Sequence, residues 1–158
     1  MRYLKVTLPL LLVMFIAGCA TTSEPEMTPL EIQAMQSRSY EEEKTIVFPS
    51  VVSVFQDLGY TIQSADVATG LVTSESAASS DGWHRFWTGT TRVEQTRATA
   101  FIEEIGGETN VRLNFVVVDE RSGGWGQRDR RDTPILEPEA YQNAFERIEN
   151  AIFIRSSN

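Results

Sequence analysis

Cys19 and His84 are the chain's one cysteine and one histidine, so few side chains could do chemistry. No set of His, Cys, Asp and Glu has metal-ligand types at a usable spacing. There is no Gly-x-Ser-x-Gly nucleophile turn, and no glycine loop before a helix to cradle a phosphate. His84 reads as a solvated loop side chain. Glu41-Glu42-Glu43 reads as a solvated approach to a helix start, where carboxylates are favoured. Glu103-Glu104, beside Gly106-Gly107, reads as a wet turn. No catalytic residue, metal or dissociable cofactor is therefore expected, and the chain reads as a non-enzyme.

What precedes Cys19 gives its thiol another use. Arg2 and Lys5 are followed by an apolar run from Leu8 to Ala17, then Gly18. A membrane-spanning helix needs roughly 20 apolar residues, so this run is too short. Basic start, apolar middle and small residues are the anatomy of an export signal. Ile16-Ala17-Gly18-Cys19 resembles the lipobox of bacterial lipoproteins. The resemblance implies cleavage between Gly18 and Cys19, a thioether diacylglycerol on Cys19, and an acylated amino end. Ala20 stands where lipoproteins kept in the inner membrane commonly carry Asp, which implies an outer-membrane address on the periplasmic side. Each buried CH2 contributes about 0.8 kcal/mol, so two or three acyl chains give a gross anchoring term of roughly 20–30 kcal/mol. On this reading residues 1–18 are the signal, 19–35 the lipidated cysteine and a flexible tether, and 36–158 one domain. Ala20 to Pro29 is polar, holds two prolines and has no apolar period, as a spacer should.

Charge narrows the partners. Removing Arg2 and Lys5 from the 14 basic residues leaves 12 against 22 acidic ones, a net charge of −10. A chain this acidic will not track a phosphate backbone by net charge, and nucleic acid is not an expected partner.

The elements follow from periodicity. Gln36 to Glu41 predicts a polar first strand, and Leu30 to Met35 a short helical turn before it. Val47, Val51, Phe55 and Leu58, widened by Phe48 and Val52, form one face of a helix. Pro49 is expected in its first turn and Gly59 at its end. Tyr60–Ser64 and Leu71–Glu75 predict two strands around a turn at Asp66–Gly70. Glu94–Ile105 and a strand through Val111, Leu113, Phe115 and Val117 follow, joined at Gly106-Gly107. Pro138 opens a last helix with Tyr141, Ala144, Phe145, Ile148 and Ile152 on its apolar side. The expected fold is a two-layer α+β sandwich, with an antiparallel sheet of about five strands and two helices packed on one face.

Val54-Phe55-Gln56-Asp57-Leu58-Gly59-Tyr60, Gly70-Leu71-Val72-Thr73-Ser74 and the closing Ala140-Tyr141-Gln142-Asn143-Ala144-Phe145 with Ile152-Phe153-Ile154 resemble a recurring group of small bacterial lipoproteins. The layout is similar to one helix-grip module of the lipoprotein C subunit of the outer-membrane β-barrel assembly machine. The resemblance spans about residues 36–155 and implies a helix-grip fold. It brings no catalytic residues.

Two long connections remain, Ala77–Val93 and Glu120–Leu136, expected at one end of the sheet. They hold all three tryptophans, Trp83, Trp87 and Trp125, together with Phe86. They also hold Arg85, Arg92, Arg121, Arg128, Arg130 and Arg131 against Asp81, Glu120, Asp129 and Asp132. Trp- and Arg-rich composition on an acidic body suits a binding surface for a partner protein, a glycan or an anionic lipid headgroup. The competing reading packs the tryptophans as a mini-core over the sheet end. A second function is open to this fold: carriage of a small apolar ligand between sheet and helix. Phe48, Phe55, Phe115, Tyr141 and Phe145 are bulky enough to fill that space.

Overall fold

The computed structural model describes residues 27–80, 91–122 and 128–157. The signal, Cys19 and the start of the tether lie outside the described residues, as do Trp83, His84, Arg85, Phe86, Trp87 and Trp125. The described chain runs α1 (Pro29–Gln36), β1 (Ser37–Tyr40), α2 (Lys44–Asp57), β2 (Tyr60–Asp66), β3 (Leu71–Ser76), β4 (Ser79–Ser80), β5 (Thr91–Ile105), β6 (Glu108–Ser122), β7 (Arg128–Pro134) and α3 (Pro138–Ser156). It is an α+β fold with helices on one face of an antiparallel sheet. The main path of the sheet is β1-β6-β5-β3-β2, with β4 on β5 and β7 on β6.

The β5–β6 hairpin is the spine. Gly106 and Gly107 sit at φ +65° and +91°, the two positive values that a tight hairpin turn demands. From that turn the two strands stay in register to Thr91 opposite Ser122. Ala98, Ala100 and Ile102 on β5 and Val111, Leu113 and Phe115 on β6 alternate inward and are buried. Ala98 faces Phe115 and Ala100 faces Leu113, so each small side chain leaves room for a large one.

The helices close over that face. α2 buries Val47, Phe48, Val51, Val54 and Phe55, and α3 buries Tyr141, Ala144, Phe145, Ile148 and Ile152. Arg38 of β1 lies 4.9 Å from the Phe145 ring centroid and 3.8 Å from the Glu149 carboxylate, tying the β1 edge to α3. α1 is capped by a reciprocal Thr28–Glu31 box. Its last residue, Gln36, is buried, and Met35 packs against the core, so this helix belongs to the folded unit.

Three expectations are corrected. Pro49 is not in the first turn of α2 but is its sixth residue. The helix tolerates it because the carbonyl that loses a donor, on Thr45, lies on the exposed side and is open to water. The stretch Glu120–Leu136 is not one long connection: β6 runs on to Ser122, and β7 pairs back along it. Ala77–Val93 likewise contains β4 and the start of β5. β7 lacks an apolar alternation because it lies beyond the helices with both faces wet, and main-chain pairing to β6 defines it. In β2 the register shifts between Ile62 and Ser64, so inward facing passes from Tyr60 and Ile62 to Ala65, opposite buried Val72.

Gly70 holds the β2–β3 turn against the spine. Its N–H donates to the Asp66 carbonyl at 2.8 Å, and its carbonyl accepts from the Ile102 N–H at 2.9 Å. Its φ is +75°, and an added Cβ would fall 1.9 Å from the Ile102 carbonyl oxygen. Gly70→Ala should therefore cost roughly 2–4 kcal/mol in urea unfolding, combining left-handed strain with a backbone clash. Gly59→Ala, at φ +86° with nothing within 4 Å, should cost only the left-handed strain of about 1–2 kcal/mol. Equal losses at the two positions would contradict this packing.

Candidate functional site

Among the described side chains the buried, helix-facing side of the spine ends at Ala98 and Phe115. Beyond them β5 and β6 project seven residues, 91–97 and 116–122, or about 23 Å at ~3.3 Å per residue. Ser80 pairs with Val93, Thr91 with Ser122, and Ser122 with Arg128. The residues that flank segments 81–90 and 123–127 are thus neighbours at one end of the sheet. The segments carrying Trp83, Arg85, Phe86, Trp87 and Trp125 leave from this end and return to it. Arg128 opens β7 here, though only its backbone is described.

Arg130 and Arg131 do not form one patch. Strand alternation sends them to opposite faces of β7. Arg130 lies on the face away from the helices, where Nε donates to Asp132 Oδ1 at 2.9 Å, Nη2 donates to Asp132 Oδ2 at 3.3 Å, and Nη1 is 3.6 Å from Glu120. These bonds raise the Arg130 pKa and lower that of Asp132. Glu75 and Arg97, 3.1 Å apart, continue the charged ladder on the same face. Val118 is buried there, on the side away from the helix core. Arg131 is exposed and pairs in register with Asp119. Arg121 contacts Asp119 at 3.1 Å. Of the arginines expected on a binding tip, Arg121 and Arg130 are already engaged by carboxylates.

A second feature lies where the helices end and the projection begins. β6 changes partner here, pairing with β1 up to Arg112 and with β7 from Val116. Phe115 falls in the gap. Its carbonyl accepts from the Ile135 N–H at 2.9 Å, and its N–H donates to the Tyr141 hydroxyl at 3.4 Å. That hydroxyl donates to the Ile135 carbonyl at 2.9 Å and accepts from Gln36 Nε2 at 3.4 Å. A buried knot therefore replaces the missing strand. Beside it opens a groove of about 410 Å3 lined by Leu58, Tyr60, Phe115, Ile135, Ala140 and Ala144, with Glu139 and Asn143 at the polar positions.

Phe48, Phe55, Phe115, Tyr141 and Phe145 are all buried. They fill the space between sheet and helices, and the Phe115 and Tyr141 centroids are 5.1 Å apart. Apolar space that they leave open includes this groove at the mouth. Sequence reading did not single it out. Its signal was Leu58, which extends the α2 stripe past the core and stays only partly buried. Among the described residues no three of His, Cys, Asp and Glu gather as a metal site. No protein-family model matches the chain, and no curated protein matches it significantly.

Two tyrosines report on burial in this fold, Tyr60 at the groove and Tyr40 on β1 opposite Thr109. Burial raises the Tyr60 pKa above its ordinary 10.0. Burial also raises that of Tyr40, whose hydroxyl has no hydrogen-bond partner among the described residues; Arg38 nearby opposes the shift but is outweighed. A raised folded-state pKa means that the folded state holds its proton longer. The stabilisation is complete below the unfolded value near 10 and is lost as pH rises through the folded value. Ultraviolet titration of the folded protein should show two tyrosines ionising late, and stability should fall above about pH 10. Ionisation of every tyrosine in one step near 10 would contradict the burial.

Proposed function

We propose that this protein is a non-enzymatic accessory protein of the bacterial envelope. It is anchored through lipid on Cys19 to the periplasmic face of the outer membrane, and it binds a partner protein or glycan at the projecting end of its sheet. The observation that supports the binding reading is the shared register of Ser80, Thr91, Ser122 and Arg128, which sets the residues flanking both Trp- and Arg-rich segments side by side. The anchoring reading is supported by Ile16-Ala17-Gly18-Cys19 and the apolar run before it. The tether joins through α1 at β1, whose first residue pairs with Arg112. Arg112 is ten residues along β6 from Ser122, about 33 Å by strand rise. The binding end is thus held well away from the attachment point.

A photoreactive residue placed at Trp83, Trp87 or Trp125 should give discrete adducts in intact envelopes, and one at exposed Glu146 should not. Cys19→Ser should abolish acyl labelling and release the chain from the membrane fraction. Unprocessed chain in the cytosol would overturn the anchor. A Trp83, Trp87 and Trp125 triple-alanine variant that melts far lower yet still pulls down the same partners would overturn the docking end.

The 410 Å3 groove at Tyr60 and Phe115 favours the second reading, carriage of a small apolar ligand. Mass spectrometry of an organic extract of the purified protein separates the two, because carriage requires a stoichiometric small molecule.

A further inference from the structure

β2 forms one side of the sheet, and among the described residues no strand pairs with its outer edge. It is seven residues long and contains neither lysine nor proline, the residues that commonly blunt such edges. Beside it runs an open groove of about 590 Å3. Phe48, Pro49, Val52 and Gln56 of α2 line one wall, and Ala65 and Val67 line the other. Val67 is 52% exposed although apolar.

Two cations stand at this groove, Lys44 and Arg155. Lys44 is the only lysine after Lys5, on a chain of net charge −8. No ion pair among the described residues engages either side chain. Glu104 is nearby, but it accepts from the Lys44 main-chain N–H, at 3.2 Å. A cation in the first turn of a helix is disfavoured by the helix dipole, so α2 gains nothing from Lys44. The groove thus combines an unpaired main-chain edge, an apolar trough and two cations outside any ion pair among the described residues.

We propose that β2 accepts an extended peptide segment of a partner protein as an added strand. An apolar side chain of that segment seats against Phe48 and Val52, and a carboxylate of it meets Lys44 and Arg155. Main-chain pairing supplies affinity in this mode, and the trough and the cations supply selectivity for alternating apolar residues with an acidic one. A fatty-acid anion would satisfy the trough and the charge but leave the strand edge unpaired, which favours the peptide. The surface lies across the sheet from β1 and α1 and does not depend on the lipid anchor or the projecting end.

The probe is a random-peptide display library selected on the purified full chain. Enriched sequences should alternate apolar residues and carry Asp or Glu. The tightest of them, made synthetically, should bind Lys44→Glu and Gln56→Trp at least tenfold more weakly, and should slow amide exchange across residues 61–66. Gln56 is exposed, so its variant should melt as the parent does and still report on the groove. The proposal is overturned if no sequence is enriched, if enriched peptides bind both variants unchanged, or if protection falls elsewhere. It is also overturned if laurate occupies the groove while peptides do not, or if β2 pairs with a second copy of the chain in sedimentation.

Discussion

The β5–β6 ladder is the constraint on which the rest of this structure depends. A two-stranded hairpin has little stability of its own in water. The half near Gly106-Gly107 is stabilised by burial, because its inward residues are apolar and α2 and α3 cover them. Among the described residues no helix lies over the projecting half. It is widened by β4 and β7, and on the outer face it carries the Glu75–Arg97 and Arg130–Asp132 pairs around Val118. Exposed ion pairs contribute only about 0–1 kcal/mol each, so the projection depends on the ladder continuing from the covered half.

The junction between the halves is where sheet pairing would fail without help. β1 ends its pairing at Arg112, and β7 begins at Val116. Tyr141 and Ile135 satisfy both main-chain groups of Phe115 in that interval. Because Tyr141 belongs to α3, the helix that covers the core also completes the sheet. The mouth groove is a consequence of that arrangement: the helices end here, while the strands do not.

The parts legible in the sequence were those governed by burial. The apolar sides of α2 and α3 follow helical spacing, and Gly106-Gly107 marks its hairpin in two letters. β7 was not legible, because Arg-Asp-Arg-Arg-Asp carries no period when both faces are wet. Pro49 was misplaced because the helix start at Lys44 has no side-chain cap to mark it. Strand direction alone predicts that both connections leave from one end, and the register places Ser80, Thr91, Ser122 and Arg128, which flank segments 81–90 and 123–127, side by side there. The opposite facing of Arg130 and Arg131 required β7 to be recognised as a strand. The groove beside β2 is spread over three separate stretches of chain, and only the fold assembles it.

A sheet that outruns the helices covering it offers separate surfaces for separate contacts: a projecting end, a mouth groove and a free edge. The claim beneath all of them is that the ladder persists beyond its covered half. Amide hydrogen exchange along β5 and β6 tests this most directly. Residues 98–102 and 111–115 should exchange only with global unfolding, and residues 116–121 should be slower than an unstructured chain by at least a hundredfold, though faster than the core. Exchange of 116–121 at unstructured rates, with the core still protected, would mean that no projecting end exists.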